Sequence, residues 1–86
     1  EPVKIYPQVL KNIKVKDKNA AQNDPEVKAA VEQVAAQLGN TGRILLRESG
    51  TEPLIRVMVE AESQDICEKL VDEIIALIRA RGHEAQ

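Results

Sequence analysis

The chain has 86 residues, of which 43% are apolar and 30% charged, the balance of one small folded domain rather than a disordered segment. Twelve Lys and Arg against fourteen Asp and Glu leave a net charge of −2, and Tyr6 is the only aromatic residue. These counts speak against a nucleic-acid binder, which needs a basic excess to displace counterions or aromatic rings on which bases stack. No apolar run is long enough to span a membrane, and no leader of the signal-peptide type opens the chain. A single cysteine, Cys67, fits a reducing compartment. The start at Glu1-Pro2-Val3, without a Met, points to a processed product or an excised piece of something longer.

Residues 1–7 carry Pro2 and Pro7 and read as a linker or edge segment, with the domain proper over 8–86. From Gln8 to Asp17 the apolar residues Val9, Ile13 and Val15 share one parity, the pattern of a half-buried strand. Leu10 is out of phase, which predicts a bulge or a ragged start. Lys18 to Asn23 reads as polar loop. Asp24-Pro25-Glu26 then opens a helix, with Asp24 as cap and Pro25 at the first helical position. Val27, Val31, Val34, Ala35 and Leu38 recur at helical spacing, and Gly39 stops the helix. Arg43 to Arg47 is a second strand and Leu54 to Ala61 a third, joined by a polar turn containing Ser49-Gly50-Thr51. Ser63 caps a last helix with the apolar stripe Ile66, Leu70, Ile74, Leu77 and Ile78, widened by Val71 and Ile75. Arg79 and Arg81 stand at its negative end, and Gly82 terminates it. The order β-α-β-β-α predicts an α+β two-layer sandwich: a small antiparallel sheet with two helices on one face.

A complete enzyme is hard to build from this inventory. His83 is the only histidine, so no zinc site of three or four ligands is available. Cys67 and His83 would stand about 24 Å apart along a helix, too far for proton transfer. The aspartates are scattered, and no glycine-rich nucleotide motif occurs. A binding module, or one domain of an enzyme, is favoured.

The informative segment is residues 43–60. Setting Arg47 opposite Arg56 places Ile44, Leu46, Val57 and Val59 together on the helix-covered face and pairs Arg43 with Glu60. A slip of one residue would expose that apolar set. The same register sets two arginines against each other at the mouth of the loop, a pairing that costs a few tenths to about 1 kcal/mol. Arginine cannot relieve this by losing its proton. Two guanidinium forks with a phosphate between them would. Gly50 lets the backbone turn sharply and approach an anion, Ser49 and Thr51 add hydroxyls, and successive amides can form a nest. The predicted anion site is Arg47, Ser49, Gly50, Thr51 and Arg56. Ser-Gly-Thr is also ordinary turn chemistry, so on physics alone an anion site and a plain hairpin both stay open.

R-E-S-G-T-E-P-L-I-R-V-M-V-E-A (Arg47 to Ala61), with Y-P-Q-V-L-K-N-I (Tyr6 to Ile13) upstream, resembles the C-terminal phosphate-binding domain of the α-D-phosphohexomutases, and within them the bacterial branch acting on an amino-sugar phosphate. The resemblance covers nearly the whole chain. It implies a sandwich of the TATA-box-binding-protein type, the fourth domain of a cytoplasmic enzyme. It implies an activity interconverting glucosamine 6-phosphate and glucosamine 1-phosphate, on the way to UDP-N-acetylglucosamine and peptidoglycan. A phosphoserine in the first domain would exchange its phosphoryl group with the sugar, and Mg2+ would be held by an aspartate-rich loop in the second. Here Arg47, Ser49, Gly50, Thr51 and Arg56 would grip the phosphate that is not reacting. No catalytic or metal residue is expected in this stretch. The implied partners are the phosphosugar substrate, domains 1–3 and a second copy in a homodimer, with neither nucleic acid nor membrane. The corresponding domain of a phosphomannomutase or phosphoglucomutase fits the same motif.

The remaining residues read as structural. Cys67 is expected to be packed, His83 to be solvated in a terminal tail, and Lys14, Lys16 and Lys18 to protect a strand edge. Glu52 is expected to contact substrate hydroxyls or a neighbouring domain. A small effector-binding regulatory module is the competing function. It would place its ligand at a helix or dimer interface rather than at residues 47–56.

Overall fold

A computed structural model describes residues 6–85; residues 1–5 of the expected linker lie outside the described residues. Three strands, β1 (Gln8–Lys14), β2 (Arg43–Glu48) and β3 (Leu54–Glu60), form one antiparallel sheet in the order β1-β3-β2. Three helices accompany it: α1 (Lys18–Asn23), α2 (Pro25–Leu38) and α3 (Gln64–Ala80). The α+β sandwich is as expected, with one helix more.

That helix corrects the expected loop over 18–23. Asp17 is extended, and its carboxylate accepts the amides of Asn19 at 2.9 Å and Ala20 at 3.2 Å. Capped in this way, the Ala20-Ala21 pair continues the turn, and Ala21 is buried. α2 begins as the sequence predicts: Asp24 accepts the Glu26 amide at 2.8 Å and Pro25 occupies the first turn. Val27, Val34 and Leu38 are buried. Val31 is only partly covered and Ala35 is exposed, so the stripe is narrower than its spacing implies.

β1 runs in unbroken register against β3, from Gln8 opposite Glu60 to Lys14 opposite Leu54. The expected bulge at Leu10 is absent. Leu10 simply faces the side of the sheet without helices and is 57% exposed. In α3 the buried stripe is Cys67, Leu70, Val71, Ile74, Ile75 and Ile78. Cys67 takes the first-turn position expected of Ile66, which is exposed; the Cys67 thiol packs inward and donates to the Pro7 carbonyl at 3.2 Å. Pro7 also accepts the Ala61 amide at 3.2 Å.

The expected solvated tail is a structural element. Gly82, at φ 81°, reverses the chain after α3. The His83 carbonyl accepts the Lys16 amide at 2.8 Å, and the Ala85 amide donates to Lys14 at 2.9 Å. Val15 and Glu84 thus form a short bridge that continues the sheet beyond β1. His83 is itself largely covered. Its Nε2 donates to Asp24 Oδ2 at 2.6 Å, and Arg81 Nε donates to the same oxygen at 3.0 Å. The Asp24 side chain is only 5% exposed. These bonds, His83 first and Arg81 second, hold its carboxyl well below the ordinary value of 3.8.

Two predictions follow from this packing. At Gly42, just ahead of β2, an added Cβ would stand 2.0 Å from the Glu60 carbonyl oxygen. Gly42→Ala is therefore expected to cost about 1–3 kcal/mol, read as a lower urea midpoint at unchanged slope. Asp24 carries the second. Because its pKa is depressed on folding, its charge stabilises the fold at neutral pH, and that contribution is lost as pH falls below the unfolded-chain value of 3.8. Asp24→Asn is expected to lower Tm by roughly 5–10 °C at about pH 7 and to flatten the loss of stability between about pH 5 and pH 2. Circular-dichroism melts across that range check both effects.

Candidate functional site

The β2–β3 hairpin takes the register that its apolar residues demand. Ile44 faces Val59, Leu46 faces Val57, and Arg47 faces Arg56. Val57 and Val59 are fully buried and Ile44 nearly so. Alternation then turns Leu45, Arg47, Arg56 and Met58 to the opposite, helix-free face. The hairpin's two ends differ in charge logic. At the far end Arg43 Nε donates to Glu60 at 3.0 Å. At the loop end the opposed residues are both arginines, both exposed, and among the described residues neither has an ion-pair or hydrogen-bond partner. Leu10, Leu45, Arg47, Arg56 and Met58 line a shallow cavity of about 190 Å³. Two cations over an apolar floor, where water competes less well, suit an anion.

The loop between the strands is short and tied at both ends. The Ser49 amide donates to the Leu54 carbonyl at 2.9 Å, and the Leu54 amide donates to Glu52 at 2.7 Å. The Val15 amide donates to Pro53 at 2.8 Å, joining the loop base to the end of β1. Ser49 Oγ accepts the Glu52 amide at 3.4 Å, a weak bond. The amides of Gly50 and Thr51 and the Thr51 hydroxyl have no partner among the described residues. All five predicted residues lie at the loop end of the hairpin, but the shallow cavity is lined by Arg47 and Arg56 and by none of Ser49, Gly50 or Thr51. Glu52 lies exposed on the same loop.

Gly50 does not make the sharp turn expected of it. Its φ lies outside the left-handed range, and a Cβ there would meet nothing within 4 Å. The turn itself does not require glycine.

Lys18 went unnoticed in the sequence as a site residue. It stands in the first turn of α1, not on a strand face, and its Nζ donates to the Ser49 carbonyl at 2.7 Å. Reading Asp17 as a helix cap would have put Lys18 in a helix packed beside the hairpin. Other features do not converge on a ligand. A groove of about 520 Å³ along the outer edge of β2 is lined by Lys28, Val31, Glu32, Ile44 and Leu46, with none of the loop residues. Among the described residues no three His, Cys, Asp or Glu side chains gather as a metal site would require. No described helix is long and apolar enough to cross a membrane.

Residues 10–77 match the family model for the phosphoglucomutase/phosphomannomutase C-terminal domain. A phosphoglucosamine mutase of Lachnospira eligens is 63% identical over 82 residues, 95% of this chain. This chain spans only 18% of that relative's length. Among solved structures, an N-acetylglucosamine-phosphate mutase of the alpha-D-phosphohexomutase superfamily, captured in a product complex, superposes with a TM-score of 0.68 at 28% identity. That match covers 84% of this chain and 15% of the mutase. The N-acetylphosphoglucosamine mutase of Aspergillus fumigatus, in complex with GlcNAc-6P and magnesium, gives a TM-score of 0.71 over 87% of this chain and 16% of its own. At 24% identity that likeness shows the fold.

The arginine pair makes a prediction that separates stability from binding. Arg56→Glu would give the loop end the same cross-strand pairing that Arg43 and Glu60 make. It is expected to stabilise the fold by a few tenths to about 1 kcal/mol while abolishing phosphate binding. Urea denaturation and a phosphate titration of the same sample test the two halves.

Proposed function

The chain belongs to the phosphoglucomutase/phosphomannomutase C-terminal domain family, and on that premise we propose that it is the phosphate-gripping domain of a phosphoglucosamine mutase. The observation that carries this reading is the Arg47–Arg56 cross-strand pair, joined by a loop whose Gly50 and Thr51 amides, like the two guanidinium groups, have no partner among the described residues. A phosphate dianion placed there would remove the like-charge cost and take up donors that have no protein partner among the described residues. Each charge-assisted bond contributes about 1.5–3 kcal/mol.

In this reading the larger enzyme interconverts glucosamine 6-phosphate and glucosamine 1-phosphate. The sugar binds in two orientations, and in each one phosphate reacts while the other is held. The held phosphate is the handle shared by both orientations. Gripping it brings the reacting oxygen to the right place, which is a proximity contribution. The phosphoserine that exchanges with the sugar lies outside this chain. Magnesium, present with the fungal mutase, would be supplied by another part of the polypeptide and would neutralise charge on the transferring phosphoryl group. Glu52, beside the grip, would meet substrate hydroxyls or a neighbouring domain. The regulatory-module reading has less support, since the groove beside β2 holds one cation, Lys28, with a carboxylate, Glu32, and no opposed pair of guanidinium groups.

In the longer enzyme, Arg47→Ala is expected to lower kcat/KM by roughly ten- to a hundredfold, the loss of one or two charge-assisted bonds. Phosphorylation of the enzyme's serine should survive. Steady-state kinetics with a separate assay of the phosphoserine decide the matter, and near wild-type kcat/KM would refute the assignment.

A further inference from the structure

The Ser49–Gly50 peptide has two possible faces. In a trans peptide the carbonyl of one residue and the amide of the next point in opposite directions, so whatever fixes the Ser49 oxygen also fixes the Gly50 N–H. Lys18 Nζ holds that oxygen at 2.7 Å, in a part-buried contact spanning 31 residues of sequence. Among the described residues no other bond reaches that oxygen. Gly50 has open space around its Cα, and the Ser49 carbonyl accepts no backbone amide among the described residues. We infer that Lys18 is a positioning residue: its bond to the Ser49 carbonyl fixes the flip of the Ser49–Gly50 peptide and keeps the Gly50 amide turned away from α1, free to receive a phosphate oxygen. The inference rests on the reading of this loop as a phosphate grip. It adds that the grip is assembled from α1 as well as from the hairpin.

The geometry behind it is short and stiff. Asp17 caps α1 through two amides, so the first turn carrying Lys18 is set. Val15, two residues before that cap, donates to Pro53 at the other end of the loop. The segment 15–18 thus touches the loop at both ends and sets its shape without contributing to the arginine pair.

The test is a titration of the 86-residue chain with inorganic phosphate, followed by amide and arginine Nε–H resonances. In the wild type, Gly50 and Thr51 amides should move downfield together with the Arg47 and Arg56 signals. Lys18→Met keeps the apolar stem and loses the donor. It should weaken phosphate binding about five- to tenfold and remove most of the Gly50 shift, while the arginine signals still respond and Tm barely changes. Lys18→Arg should recover the Gly50 shift. Lys16→Met removes an equal charge that makes no bond to the loop and should change affinity less than about twofold. A Lys18→Met chain with wild-type affinity and a wild-type Gly50 shift would overturn the inference. So would Lys16→Met weakening binding as much as Lys18→Met, since Lys18 would then act only as diffuse charge. If the wild type itself shows no response at about 50 mM phosphate, the grip reading falls and takes this inference with it.

Discussion

The hairpin register is the constraint on which the site depends. Ile44, Leu46, Val57 and Val59 must all face the helices, and the period of two along each strand leaves one pairing that achieves this. Once that pairing is made, Arg47 and Arg56 are opposed, whatever it costs. A domain selected for stability alone would carry opposite charges there, as it does at Arg43 and Glu60. Core burial contributes several kcal/mol across the four apolar residues, against about 1 kcal/mol for the repulsion, so the core sets the register and the arginines follow.

A second set of contacts holds the base of the loop. Asp24 caps α2, receives His83 and Arg81, and so binds the end of the chain to its middle. The tail pairs with Lys14, Val15 and Lys16, and Val15 reaches the loop at Pro53. The loop is therefore carried by a frame of backbone bonds and one buried carboxylate, while its own amides at Gly50 and Thr51 stay unspent. A binding loop is useful in this condition: its ends are fixed, so little ordering remains for a ligand to impose.

The site was more legible in the sequence than its surroundings. Strand alternation and the arginine spacing give the hairpin and its register, because both rest on local periodicity. Caps at Asp24 and Ser63 are equally local. Two of the misses come from contacts between distant residues. His83 looked like a tail residue because its partner, Asp24, lies 59 positions away. Lys18 looked like part of a strand because its target is the Ser49 carbonyl, which no sequence pattern marks. Ile66 and Cys67 exchange roles because the buried face of α3 follows the phase Cys67, Leu70, Val71, Ile74, which leaves Ile66 outside. The helix at α1 was hidden by its polar composition, though Asp17 followed by two alanines carried the signal.

The strand order β1-β3-β2 has one more consequence. Arg56 stands on the central strand, bonded to neighbours on both sides, whereas Arg47 stands on an edge strand one residue from its end. The two jaws of the pair are therefore unequal in stiffness. The backbone of Arg56 is held on both sides and that of Arg47 on one, so in the phosphate-grip reading a bound anion would displace β2 more than β3.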